Sequence, residues 1–238
     1  MHRPTYASLI EQLYIDHIVV AAPDLTQAKA EFAEWTGTEL ADGGPHPGAG
    51  TCNALASFKA AGSIAPGAYL EVITPDRTQS IAGTNGERFA ALTEPTLLHW
   101  AVRSSNLPGV VELAKEAGFV PGPIRDMARL TPDGTHLQWQ LMGMASGSSR
   151  GETSAGQGLG GLAPFFIDWQ GSPHPADSAP VVGGLTTLSL PDLPGLAALL
   201  ADVQGIALGA ADSGMSVEFS SARGNRGWWE AAPVGFRF

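Results

Sequence analysis

The sequence has 238 residues, 44% of them hydrophobic, and a formal net charge of −10 at pH 7. That is enough apolar material for a sizeable core, and the acidic balance argues against nucleic acid or an anionic membrane surface as a partner. The longest apolar runs fall far short of the ~20 residues that cross a bilayer, and residues 1–14 lack the features of a secretory signal. A single cysteine, Cys52, suits a reducing compartment, so we expect a cytoplasmic protein without membrane segments.

Three stretches of the sequence share one pattern: an apolar strand, a short turn, and an amphipathic helix. The first spans residues 15–37, with Asp24 as the predicted N-cap of a helix that ends at Gly37. The second spans residues 97–118, with Ser105 or Asn106 as the cap, and the third spans residues 184–205. This self-similarity predicts a repeated structural unit.

Strand-like segments follow each helix. Residues 53–58 and 68–74 follow the first helix, and residues 125–130, 136–142 and 163–169 follow the second. The third copy has room for one helix and two further strands that end near residues 216–221. Gly/Pro-rich segments, which we interpret as connections, occupy residues 43–51, 143–161 and 171–180.

The repeats predict an α+β fold in which tandem βαβββ modules bury their helices on one side and curve their sheets around a shared concave face. We expect a lead-in over residues 1–14, a first module over 15–80, a second over 97–170 and a truncated βαβ-type third module over 181–238. Residues 15–238 would together form one unit.

The aligned copies place two histidines at one repeat position. On the first strand Ile15, His17 and Val19 should share a face because side chains alternate, and His99 holds the position of His17 in the second copy. In the third copy Leu185 stands there, so no equivalent site is expected.

Two carboxylates complete a candidate metal centre. Glu71 lies on the last strand of the first copy, and Asp168 is the matching residue of the second, with Glu218 as a reserve. Together, His17, Glu71, His99 and Asp168 would offer two nitrogens and two carboxylates to one divalent ion, which suits Zn, Ni, Mn, Co or Fe.

The runs DHIVVAAPDL and YLEVI resemble the opening module of the vicinal oxygen chelate (VOC) superfamily. The segments HPGAGTCNAL, RDMARLTPDGTHLQWQL and PFFIDWQGSPHP resemble its glyoxalase-like domain family. The resemblance implies paired βαβββ modules that form one curved, U-shaped sheet around a divalent ion, held at positions matching His17, Glu71, His99 and Asp168. Asp168 departs from the glutamate that is usual at its position in glyoxalase enzymes.

Further residues are candidates for ligand contact. Two histidines stand in proline-containing turns, an asparagine follows the first turn, two arginines have forks that suit a carboxylate or phosphate, and one tryptophan lies on a second-copy strand. These are His46, His174, Asn53, Arg103, Arg125 and Trp139. Arg129, Trp100 and Trp169 share these features; surface solvation for the arginines and core packing for the tryptophans are the alternatives.

Three functions fit these features. The first is a glyoxalase-like metalloenzyme of isomerase or lyase type, in which the ion polarises two vicinal oxygens of a small substrate and Glu71 or Asp168 shuttles a proton. The second is an Fe(II) extradiol-type dioxygenase using His17, His99 and one carboxylate. The third is a non-catalytic small-molecule-binding protein, and a homodimer is compatible with all three.

Overall fold

The computed structural model of the protein describes residues 13–146, 161–211 and 213–230. Most of the predicted lead-in, and the greater part of the Gly/Ser tract at 143–161, lie outside these residues. Within the described ranges, no helix has both the length and the apolar character needed to cross a membrane.

The first repeat forms a complete βαβββ module. Asp24 caps the helix by accepting a hydrogen bond from the backbone N–H of Gln27 at 2.8 Å, and Gly37 ends it in the left-handed conformation with φ 80°. Both caps confirm the sequence prediction. The elements are β1 (Tyr14–Ala21), α1 (Leu25–Thr36), β2 (Ala41–His46), β3 (Thr51–Ser57) and β4 (Tyr69–Pro75).

The second repeat has the same order of elements with two short strands added. Of the two predicted N-caps, Asn106 is the one used, accepting from the N–H of Gly109 at 3.0 Å. A short helix, α2 (Asn85–Ala90), lies before the module. The module's elements are β5 (Thr96–Arg103), α3 (Leu107–Glu116), β6 (Phe119–Pro121), β7 (Arg125–Leu130), β8 (His136–Met142), β9 (Met144–Ser146) and β10 (Phe165–Asp168).

Eight of these strands form one sheet in the order β2-β3-β4-β1-β5-β10-β8-β7. In each module the first strand is parallel to the last, β1 to β4 and β5 to β10, and the modules join through the antiparallel pair β1–β5. The edge strands β2 and β7 come back into contact, where the Arg129 guanidinium donates a hydrogen bond to the carbonyl of Gly43. The sheet is therefore curved and nearly closed, which confirms the predicted tandem βαβββ architecture.

Strand β2 was not expected from the sequence. Its residues, ADGGPH, overlap the segment interpreted as a Gly/Pro-rich connection, yet they pair with β3 from Ala41 to His46. Proline is tolerated because β2 is an edge strand, and a bulge at Gly43 accommodates the irregular register. Helix α2 was missed as well, since its six residues are too few to show a periodicity.

The two faces of the sheet have different roles. The outer face carries α1 and α3 over a continuous core that includes Ile18, Val20 and the fully buried Trp100. The inner face holds a smaller apolar group around Val19 and Phe165 and encloses the cavity described below.

The third repeat builds a separate four-stranded sheet. Its βαβ unit, with β11 parallel to β12, matches the expected type, and the sheet holds one strand more than the sequence analysis allotted to it. An aromatic group of Phe32 and Trp35 from α1 with Phe219 packs it against the first module. Its elements are β11 (Leu185–Leu190), α4 (Leu196–Leu199), β12 (Ile206–Leu208), β13 (Met215–Phe219) and β14 (Arg226–Glu230), in the order β12-β11-β13-β14.

Candidate functional site

The concave face of the eight-stranded sheet encloses a cavity of about 440 Å³. The first module supplies ionisable and polar side chains to its wall, and the second supplies aromatic and aliphatic ones with two arginines. From the first module come His17, His46, Thr51, Asn53, Tyr69, Glu71 and Ile73; from the second come Arg125, Met127, Arg129, Trp139, Leu141, Phe165, Ile167 and Trp169. Such a cavity suits a small molecule with a polar end and an apolar body.

A bulge in β1 brings Asp16 and His17 together. Strict alternation would place Ile15 with His17 and turn Asp16 to the opposite face, but the register with β5 shifts between residues 15 and 17. Ile15 consequently packs in the outer core, and Asp16 Oδ1 lies 2.6 Å from His17 Nδ1. The expectation that Ile15 shares the face of His17 was wrong for this reason.

Asp16 is fully buried and receives several hydrogen-bond donors. Besides His17, it accepts from Trp169 Nε1 at 3.1 Å, and its Oδ2 lies 2.9 Å from His174 Nε2. Burial alone would raise the pKa of Asp16, but the hydrogen bonds from the two histidines outweigh burial and hold it well below its usual range. The carboxylate thereby fixes the proton of His17 on Nδ1 and turns Nε2 toward the cavity.

Glu71 is the centre of the polar wall. Its side chain lies between two imidazoles, with Oε2 3.7 Å from His17 Nε2 and Oε1 3.8 Å from His46 Nε2. Asn53 Nδ2 donates to Oε1 at 2.5 Å. Burial lowers the pKa of His46, which favours its neutral form. A carboxylate so enclosed can accept a proton and pass it to a neighbouring ring.

The glyoxalase-like domain family matches residues 15–201 of this sequence, which include both modules of the large sheet. The chain belongs to the glyoxalase-like domain family. It is thus a member of the VOC superfamily, as the sequence resemblance predicted. A comparison with curated proteins finds no match.

Solved structures similar to this glyoxalase-like protein include a hypothetical protein from Staphylococcus aureus, at 18% identity and a TM-score of 0.49, over 68% of this chain and 60% of that one. Methylmalonyl-CoA epimerase from Mycobacterium tuberculosis shows 19% identity and a TM-score of 0.40, over 71% and 91% of the two chains. A methylmalonyl-CoA epimerase in complex with methylmalonyl-CoA and NH4+ shows 15% and 0.42, over 69% and 100%.

His99 lies beside the cavity of the glyoxalase-like domain without lining it. Its Nδ1 accepts a hydrogen bond from the backbone N–H of Trp100 at 2.9 Å, and its ring lies edge-on to Phe165 at 5.1 Å. Burial lowers the pKa of His99 to about 4, so the ring is neutral at physiological pH.

Asp168 does not occupy the position predicted for it. Phe165 and Ile167 face the cavity from β10, whereas Asp168 accepts hydrogen bonds from the backbone and side-chain nitrogens of Gln170. The strand registers show that the match was misplaced: Glu71 pairs with Val19, and Phe165 pairs with Ala101, the equivalent of Val19. Phe165 is therefore the second-module counterpart of Glu71.

These placements do not fit the predicted set of four metal ligands. The second carboxylate position carries a phenyl ring, and one nitrogen of His99 is engaged by the main chain. Among the residues that the structure describes, no three His, Cys, Asp or Glu side chains are grouped so as to hold a metal ion. The reserve carboxylate, Glu218, lies in the third sheet near Thr187. The same geometry does not support the ligand set expected for a dioxygenase, which was His17, His99 and one carboxylate.

The remaining predicted contacts divide in two. His46, Asn53, Arg125 and Trp139 line the cavity. Arg103 instead lies with its Nε 3.9 Å from Asp16 and its guanidinium over the ring of Tyr14.

His174 lines a neighbouring cavity of about 370 Å³. It contacts Asp16, and through Asp16 it helps to position His17. Asp16 is a site residue that the sequence analysis did not select, because the bulge in β1 hides its face. Arg129 was named there with surface solvation as the alternative, and it lines the cavity with Arg125 and Met127 on β7.

Proposed function

We propose that this glyoxalase-like protein binds a small molecule with vicinal oxygens and that Glu71 exchanges a proton with the carbon next to its carbonyl group. The observation that carries the proposal is the buried Glu71 carboxylate, 7% exposed, in a cavity whose opposite, second-module wall carries aromatic and aliphatic side chains with two arginines. Proton exchange of this kind underlies isomerase and lyase chemistry.

The neighbours of Glu71 suit a proton relay. Asn53 holds Oε1, which leaves Oε2 turned toward His17. His17 presents Nε2 to the carboxylate because Asp16 accepts from Nδ1. A proton taken up by Glu71 can thus reach the imidazole, and the exclusion of bulk water strengthens each of these interactions.

Phenylpyruvate is a suitable probe because it carries adjacent keto and carboxylate oxygens on an aromatic body. In D₂O, exchange of its CH₂ protons measured by ¹H NMR should be faster with the wild type than without protein. Glu71→Gln, which keeps an acceptor for Asn53, should slow the protein-dependent rate by about 10²–10⁴-fold. Asp168→Asn is the matched control and should leave the rate unchanged. Full activity of E71Q, or loss of activity in D168N, would contradict the proposal.

A second candidate is ligand binding without chemistry, which the aromatic wall of Trp139, Phe165 and Trp169 favours. Saturable binding of phenylpyruvate with no exchange above the background rate would support this alternative.

The homodimer, the divalent ion and the cytoplasmic location stay predictions. Light scattering, elemental analysis and cell fractionation test them in turn.

A further inference from the structure

Arg129 is a buried, charged side chain in the cavity wall that the second module supplies. It follows Arg125 and Met127 on the cavity face of β7 and is 5% exposed, whereas Arg125 is exposed. Burying an arginine is costly unless its charge and its donors are compensated. The partners of Arg129 therefore indicate what the cavity is built to hold.

Among residues 13–146, 161–211 and 213–230, Arg129 has one hydrogen-bond partner for its side chain, which is uncharged. Its Nη1 donates to the carbonyl of Gly43. Within the described parts of the chain, no carboxylate lies within 4 Å of the guanidinium; the ion pairs there are formed by other residues. Burial lowers the pKa of Arg129, and Glu71, which forms no ion pair with it, opposes that shift only in part. Arg129 lines both the main cavity and the neighbouring one, and its other donors have no hydrogen-bond partner among the described residues.

We propose that Arg129 binds the carboxylate of an anionic ligand, so that the cavity accepts organic acids with an apolar or aromatic body. This assignment rests on the proposed function of the same cavity and specifies its class of substrate. A planar guanidinium matches a carboxylate in a two-point geometry, and the aromatic side chains of Trp139, Phe165 and Trp169 line the same cavity.

The charge of the whole protein makes the role of Arg129 specific. With a formal net charge of −10, the protein repels anions at long range. A negatively charged ligand gains its attraction from the local cation, in a setting where low polarity strengthens the contact. Removing that cation should hence weaken the affinity for acids and leave the affinity for neutral analogues unchanged.

A pair of unreactive probes tests this selectivity. Isothermal titration calorimetry would compare 3-phenylpropanoate with 3-phenylpropanamide, which has the same shape without the charge. We expect the wild type to bind the acid about tenfold to a hundredfold more tightly than the amide. Arg129→Gln, which retains a donor for Gly43, should abolish the preference and keep the affinity for the amide. Arg223→Gln, at an exposed arginine that contacts the backbone of α1 away from the cavity, is the control and should retain the preference.

Arg129→Lys keeps the charge without the fork, and an intermediate preference is expected; this variant carries the test if R129Q does not fold. Equal or undetectable affinities for the two probes in the wild type, or an undiminished preference in R129Q, would overturn the assignment. Because binding is measured without turnover, E71Q should keep the acid preference. A wild type that catalyses no proton exchange but retains the acid preference would thus identify a failure of the proposed function alone.

Discussion

Phe165 stands in the second module at the register position that Glu71 holds in the first. Glu71 pairs with Val19 on β1, and Phe165 pairs with Ala101 on β5, the repeat equivalent of Val19. The repeat is thus symmetric in its backbone and asymmetric in its chemistry. One half of the cavity carries a carboxylate where the other carries a phenyl ring.

Replacing that ring should create the missing carboxylate. Phe165 lies edge-on to both His17, at 5.3 Å, and His99, at 5.1 Å, so Phe165→Glu would place an acid between two imidazoles. We expect F165E to bind Ni²⁺ or Mn²⁺ at least tenfold more tightly than the wild type, as measured by calorimetry. Phe165→Gln, of similar size without charge, is the control. Equal affinity in all three proteins would show that the two histidines cannot share an ion.

Asp16→Asn should destabilise the fold. The variant loses a fully buried anion that accepts from His17, His174 and Trp169, and an amide nitrogen facing these donors leaves them unsatisfied. We expect the free energy of unfolding in urea to fall by about 2–4 kcal/mol. The control is Asp42→Asn, which breaks an exposed ion pair with Lys29 and should cost less than about 1 kcal/mol. If D16N were as stable as D42N, the hydrogen bonds that Asp16 accepts would not stabilise the fold as we infer.

His99 should make stability fall in weak acid. Its folded pKa is about 4 and its unfolded pKa about 6.5, so the unfolded chain binds the additional proton between these values. The contribution of His99 is complete above pH 6.5 and is lost as the pH falls toward 4, a change on the order of 3 kcal/mol. Urea unfolding at pH 7.5 and 4.5 measures it.

His99→Asn keeps an acceptor near the N–H of Trp100 and does not titrate in this range. The difference in stability between the two pH values should therefore be smaller in H99N than in the wild type. An identical pH dependence in both proteins would show that His99 is accessible to protons in the folded state.

Gly43→Ala should displace Asn53 and thereby disturb the position of Glu71 in the cavity wall. A Cβ at Gly43 would collide with the amide of Asn53, whose Cγ would be 2.9 Å away, and Asn53 holds Glu71. We expect a loss of about 1–3 kcal/mol in the free energy of unfolding together with slower phenylpyruvate exchange. Gly67→Ala, whose Cβ would meet a neighbouring atom at 3.4 Å, is the control. Unchanged rates in G43A would mean that Asn53 does not position Glu71.

The sequence predicted most of the fold because the periodicities of the repeats are strong. The caps Asp24 and Asn106 and the strand pattern were readable locally. Strand β2 was not, because its glycines and proline resemble a loop and its pairing with β3 is a long-range contact.

The site was harder to predict than the fold. His17, His46, Asn53 and Glu71 were selected and do line one cavity. Asp16 was missed because one bulge reverses the face of a side chain. Asp168 was misplaced because the long tract before β10 left the repeat alignment free to slip by three residues.

The asymmetric wall has a consequence for handedness. A cavity with the same groups in both halves could receive a ligand in two equivalent orientations. Here a carboxylate, a guanidinium and an aromatic surface are three different contacts around one space. Three distinct points of attachment distinguish a chiral molecule from its mirror image, so the divergence of the two halves should make this protein enantioselective.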